Sequence, residues 1–154
     1  MVKVLLNNTQ QKYIDVNTII FSNLYGAILA KDKISFYKLK QGEKLNNLDI
    51  GKFYKKEFSK VLDKFLEDED ILDLRVNFYE KFYTIKKKYL TMKFIKNSKV
   101  VSHFAKAYRG KILREIAING VNSIDEILNI NFEGVQFLEI REIKNRKELI
   151  FEVE

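Results

Sequence analysis

Three residue types are missing from this 154-residue chain: cysteine, proline and tryptophan. Histidine occurs once, at His103. Without cysteine there is no disulfide and no thiolate metal site, and a reducing cytosol is the natural setting. One histidine excludes a histidine-based metal cluster and paired-histidine chemistry; His103 is expected to face neighbouring strands or solvent. The absent proline and tryptophan, beside abundant Lys, Ile and Asn, match the coding of an AT-rich genome and carry no functional reading. No apolar run approaches the roughly 20 residues of a membrane-spanning helix. The opening Met1-Val-Lys-Val-Leu-Leu-Asn7 has no h-region and no small-residue cleavage site, so no signal peptide and no membrane partner are expected. No internal repeat and no Pro/Gly-rich joint interrupts the chain, which reads as a single domain over 1–154. Apolar residues make up 46% of it, enough for a packed core.

The most informative absence is local. Residues 81–114 contain no acidic side chain and 11 basic ones: Lys81, Lys86, Lys87, Lys88, Lys93, Lys96, Lys99, Lys106, Arg109, Lys111 and Arg114. Residues 1–80 are nearly balanced, with 13 basic and 12 acidic, whereas residues 115–154 carry 4 basic and 9 acidic. The chain as a whole is at +7. A solvated face normally mixes signs, because opposite charges relieve repulsion. An unrelieved block reads as a phosphate-binding surface. The alternative is a solvated lysine-rich hairpin neutralised by the acidic C-terminal segment folding against it. The aromatics interleaved here (Phe82, Tyr83, Tyr89, Phe94, Phe104, Tyr108) are stacking platforms for bases or, more simply, core.

Patterning predicts an α+β fold, a mixed sheet with helices packed around it. Residues 1–6 and 18–21 read as short strands, and 23–26 as a turn. Residues 27–48 look irregular. Residues 51–67 read as an amphipathic helix with Tyr54, Phe58, Val61, Leu62 and Phe65 on its apolar side. Ile71 to Leu74 reads as a buried strand, and 83–96 as a strand or hairpin. Residues 103–118 form the clearest helix, with Ala105, Tyr108, Ile112 and Ile116 as its stripe. At 100° per residue Lys106, Lys111 and Arg114 fall away from that stripe, whereas Arg109 lies at its margin. An arginine there needs a carboxylate, a carbonyl or a ligand, because an unpaired buried charge is costly. Asn119 to Ser123 forms a turn, and Ser123 caps a short helix from Ile124, with Glu126 at the capping-box position. Helix, tight turn and second helix over 104–128 outline a helix-hairpin-helix, which presents backbone N–H groups to phosphates, or a plain helical hairpin. Residues 148–154 read as a closing strand.

Several segments resemble the YaaA peroxide-stress family. Val100 to Arg114 is similar to the family's strand-Ser, Ala-Lys-x-x-Arg-Gly, Arg stretch through Ser102, Ala105, Lys106, Arg109, Gly110 and Arg114. Ser22 to Gly26, Asp32, Tyr37 to Leu39 and Gly42 to Leu45 resemble its Leu-Tyr-Gly segment and the continuation. Asn77, Tyr79 and Lys81 match its Asn-Glu-Tyr-x-Lys stretch, and Phe132 to Gly134 with Leu149 to Phe151 fit its end. The resemblance covers about residue 18 onward. Leu29-Ala30 stands for the family's Arg-Pro, and Phe78 for its Glu. The family's first segment has no counterpart, so the chain is either a truncated relative or part of a longer protein.

The resemblance implies a cytoplasmic protein of the peroxide-stress response that binds DNA, double-stranded or branched, through a basic cleft and without strong sequence preference. The expected phosphate contacts are Lys81, Lys86, Lys87, Lys88, Lys106, Arg109, Lys111 and Arg114, with Tyr25, Lys38, Asn77 and Tyr79 lining the cleft. No cofactor and no metal is expected. Two alternatives stay open. One is an enzyme acting on nucleic acid or nucleotide, for which Asp32, Glu43 and Asp73 would have to converge around a metal, or Lys106 or Lys81 would serve as a Schiff-base nucleophile. The other is a non-catalytic domain whose basic face meets an acidic protein.

Overall fold

The computed structural model describes residues 5–153, with the backbone alone at 102–104. The expected strand over 1–6 lies mostly outside the described residues, as does the His103 side chain. The described part forms two compact units, residues 1–68 with 75–85, and residues 69–74 with 86–154.

The first unit begins with helix α1, Asn8–Asn17. Its entry is closed by a reciprocal box: Asn7 Oδ1 accepts from the Gln10 amide, and Gln10 Oε1 accepts from the Asn7 amide, each at 2.9 Å. Strands β1 (Ile19–Ser22) and β2 (Gly26–Leu29) form an antiparallel hairpin. Gly26 sits at φ +73, and a Cβ there would come within 2.6 Å of the Tyr54 ring. Helix α2, Ile50–Phe65, starts at Asp49, whose side chain accepts from the Lys52 amide. Its stripe is only partly covered: Leu62 is buried, yet Val61 is 64% and Phe65 54% exposed. A one-turn helix α3, Asn77–Glu80, follows, too short to show a period in the sequence. Around it Tyr54, Phe78 and Tyr79 surround the buried Phe82, with ring centroids 5.2–5.7 Å from it. Arg75 lies over the Phe21 ring and donates to the Tyr83 carbonyl at 2.9 Å.

The second unit is a mixed sheet in the order β3-β4-β7-β6, with β5 beside β4. Its strands are β3 (Leu72–Asp73), β4 (Tyr89–Lys96), β5 (Lys99–Val100), β6 (Val135–Ile143) and β7 (Arg146–Val153). Strand β4 runs parallel to β3 and β7, whereas β5 and β6 pair antiparallel with β4 and β7. The 83–96 reading therefore resolves into a loop and then β4, which turns back to β5 through Asn97-Ser98. Both turn residues have positive φ, the geometry a two-residue hairpin needs. Leu90, Met92 and Phe94 are buried on alternate positions of β4, and Leu149, Ile150 and Phe151 run buried in β7, as a strand with neighbours on both edges should. Helix α4, Ser102–Asn119, lays Ala105, Ile112 and Ile116 into the core, and Tyr108 stacks on Phe94 at 5.4 Å. It stops at Gly120 in the left-handed region, φ 60. The last helix is α5, Ile124–Leu128. The α+β reading with a mixed sheet is thus what the chain adopts.

Candidate nucleic-acid interface

The eight expected phosphate contacts divide between the units. Lys81 belongs to the first. Its ammonium lies 4.0 Å from the Phe78 ring centroid, and its stem runs along the Gly51 backbone at the start of α2, where an added Cβ would meet it at 2.9 Å. Asp49 is nearby, its carboxyl held below the usual range mainly by the hydrogen bond from the Lys52 amide, with the Lys52 and Lys81 charges adding to it.

The other seven belong to the second unit. Lys86, Lys87 and Lys88 approach β4, with Lys86 and Lys88 exposed. Lys87 Nζ donates to the Glu69 carbonyl at 2.7 Å. Helix α4 carries the remaining four. Lys106 and Lys111 are exposed, and Arg109 and Arg114 are half-buried and already engaged within the fold. Lys111 and Arg114 line a small hollow of about 80 Å³ with Tyr108, Phe132, Glu115 and Glu133. That hollow mixes signs. The acidic C-terminal segment does meet the basic block elsewhere too, since Glu148 is buried and lies 3.8 Å from Lys93 and 3.7 Å from Arg146. In the β4–β5 hairpin Lys96 stands directly opposite Lys99, a like-charge placement that by itself disfavours the pair.

The α4–turn–α5 outline is present, but three amides of its turn and second helix are taken. Ser123 Oγ accepts from the Glu126 amide at 3.2 Å, Asp70 Oδ2 from the Ile124 amide at 3.0 Å, and Glu126 Oε2 from the Asn122 amide at 2.8 Å. Glu126 therefore reaches back one residue beyond the N-cap. Side-chain oxygens fill the places where a helix-hairpin-helix would receive a phosphate.

All four expected cleft residues lie in the first unit. Lys38 and Asn77 are exposed. Tyr25 packs edge-on against Tyr37 at 5.4 Å. Burial pushes the Tyr79 hydroxyl up, with Tyr37 adding to the shift; Tyr54 behaves the same way. Tyr25, Tyr79 and Tyr54 thus gather around Tyr37, whose hydroxyl meets Ser22 Oγ at 2.6 Å. Ser22 also accepts from the Leu24 and Tyr25 amides, and Tyr54 donates to the Leu24 carbonyl. Asn23 is buried; its Nδ2 donates to the Lys40 carbonyl, while its Oδ1 accepts nothing among the described residues. Sequence reasoning singled out the Ser22–Gly26 and Tyr37 segments but not this role for Ser22, Asn23, Tyr37 and Tyr54. The signal was polar residues adjoining a buried strand.

Of the acids considered for a metal site, Asp73 lies in β3 and the other two each close a local turn. Asp32 accepts from the Leu29 amide and Glu43 from the Lys40 amide. Among the described residues no three His, Asp or Glu side chains gather as a metal site requires, and no helix is long and apolar enough to cross a membrane.

The fold and the charge distribution define a basic α+β protein whose mixed sheet carries a lysine-rich helix and hairpin. The peroxide stress protein YaaA profile matches residues 3–141, and the chain belongs to that family. It is 51% identical over 148 residues to an uncharacterised protein of Campylobacter jejuni, covering 96% of this chain and 60% of the relative. A UPF0246 protein of Fusobacterium nucleatum is 29% identical, covering 91% and 58%, and one of Alteromonas mediterranea is 34% identical, covering 86% and 55%. The chain thus spans between 55% and 60% of the length of these relatives.

Proposed function

We propose that this chain is the DNA-contacting part of a peroxide-stress protein and binds the phosphate backbone without strong sequence preference. The observation that carries the reading is the acid-free run of 34 residues with 11 cations, which folds into one unit from Lys86 onward. There Lys88, Lys99, Lys106 and Lys111 stand exposed, open to a bound polyanion. Lys106 heads α4 and is the contact whose charge is least committed to the fold. Lys111 stands over the Tyr108 ring at 5.4 Å and is less available. Arg109 and Arg114, held by internal partners, would position α4 and add charge from behind. The amides at the start of α5 take no part.

The test is fluorescence-anisotropy titration of a labelled duplex and a labelled four-way junction at low and moderate salt. Salt-sensitive binding to either, weakened by Lys106→Glu, supports the reading. No binding at low salt, or an affinity that Lys106→Glu leaves unchanged, refutes it.

A further inference from the structure

Strand β6 ends the sheet. It pairs with β7 on one side, and no described strand pairs with its other side. Natural edge strands are guarded by shortness, charged side chains, proline, bulges or cover, and of these β6 has one bulge and three charged residues of mixed sign. Strand β6 has nine residues, Val-Gln-Phe-Leu-Glu-Ile-Arg-Glu-Ile, with no lysine or proline, and only Val135 is buried. Phe137, Leu138, Ile140 and Ile143 are each between 42% and 50% exposed. Isolated exposed apolar residues are ordinary, but four along one unpaired edge mark an interaction surface.

We infer that β6 pairs antiparallel with β6 of a second copy of this chain, about a two-fold axis at Ile140. The occupant follows from the order of charges. A two-fold axis perpendicular to the sheet keeps each face on its own side. Facing residues then share a face, so each register is centred on one residue. Centred on Glu139, that carboxylate meets itself. Centred on Arg141, two guanidinium groups meet, and centred on Glu142, two carboxylates meet. Centred on Ile140, the apolar Ile140 side chains face each other, and Glu139 of each copy faces Arg141 of the other. Within one chain these two already touch, with Arg141 Nε donating to Glu139 Oε1 at 2.6 Å on an exposed face. The pairing therefore closes a square of four alternating charges around the axis. The bulge between Phe137 and Glu139 bounds the regular stretch on one side, and by symmetry on the other.

The test uses the whole chain in sedimentation equilibrium. The mass should rise with concentration from 18.3 kDa toward twice that value. Arg141→Glu or Glu139→Arg places like charges opposite each other twice per dimer and should weaken association about tenfold or more. The double exchange Glu139→Arg with Arg141→Glu should restore it. Because the chain has no cysteine, Ile140→Cys offers an independent readout. Facing Cα atoms in an antiparallel pair are about 4.5–5.5 Å apart, within disulfide reach, so mild oxidation should link Ile140→Cys and not Ile143→Cys. A chain that stays monomeric at every concentration overturns the inference. So does a dimer indifferent to the single charge changes, or one that links Ile143→Cys in preference to Ile140→Cys.

Discussion

Gly26→Ala should be the most damaging of the three glycine-to-alanine changes whose surroundings differ most clearly. Gly26 sits at φ +73, and its new Cβ would lie 2.6 and 2.7 Å from two Tyr54 ring carbons and 3.0 Å from Phe58. Ordinary carbon contacts are about 3.5–4.0 Å, so the overlap is roughly 1 Å against a ring that also donates its hydroxyl to the Leu24 carbonyl. The left-handed backbone costs about 1–2 kcal/mol for a residue with a Cβ, and overpacking adds about 1–3 kcal/mol. A loss near 3 kcal/mol lowers the melting temperature by roughly 6–12 °C for a chain of this size. Gly42→Ala separates the two contributions. Its φ is +89, but the nearest atom is Phe78 Cε2 at 3.9 Å, which leaves only the conformational cost of about 1–2 kcal/mol. Gly110 lies inside α4 with nothing within 4 Å, so alanine there should gain about 0.5–1 kcal/mol. Thermal melts of the three variants, followed by circular dichroism, give the order directly. If Gly26→Ala costs no more than Gly42→Ala, the packing of Tyr54 over the β1–β2 turn is not what this account says.

Lys106→Ala should weaken DNA binding to duplexes of any sequence and reduce the slope of log affinity against log salt by about 1; a salt series in anisotropy reads both, and an unchanged slope removes Lys106 from the interface. Burial pushes the Tyr83 hydroxyl up to about 12, with the hydrogen bond to Asp63 adding to the shift. Its folded pKa exceeds its unfolded one, so its contribution is complete below about pH 10 and disappears as pH rises toward 12. Urea titrations across that window should show wild type losing stability that Tyr83→Phe does not lose. Phe94→Ala should cost about 3–5 kcal/mol, since Phe94 is buried between Tyr108 and Phe151; urea midpoints at unchanged m test it.

Helices α2 and α4 were legible from their apolar period, and α5 from its Ser123 cap after a Gly-containing turn. The Ser123 cap and the Gly120 stop act as their residue types suggest. Strand β6 was not legible. The bulge between Phe137 and Glu139 shifts the register and breaks the two-residue alternation, and its exposed side chains give little apolar contrast. Helix α3 is one turn, too short for any period. The exposure of Val61 and Phe65 was equally hidden, because a helical stripe tells which side is apolar and not how far along it a partner extends. For the site, the sequence located the cations but not their engagements. Nothing in the spacing says that Lys93 meets Glu148, 55 positions on, or that Asp70 occupies the Ile124 amide.

Those engagements decide what the charge block is free to do. Three of the lysines are turned to the fold's own use: Lys81 over the Phe78 ring, Lys87 on the Glu69 carbonyl and Lys93 against Glu148. Arg109 and Arg114 also hold internal partners. The neutralisation expected of the acidic C-terminal segment is therefore real but confined: Glu148 serves the sheet, and Glu115 and Glu133 share the hollow with Lys111 and Arg114. What remains exposed without such a partner among the described residues is Lys88, Lys99 and Lys106. Three phosphate contacts correspond to a salt slope of roughly −3 on duplex DNA, not the roughly −10 that eleven cations would suggest. On the proposed function, a polyanion surface this small would give weak, non-specific binding by one chain. Two copies joined at β6 would present it twice, and the second set of contacts would then act at high effective concentration on the same duplex.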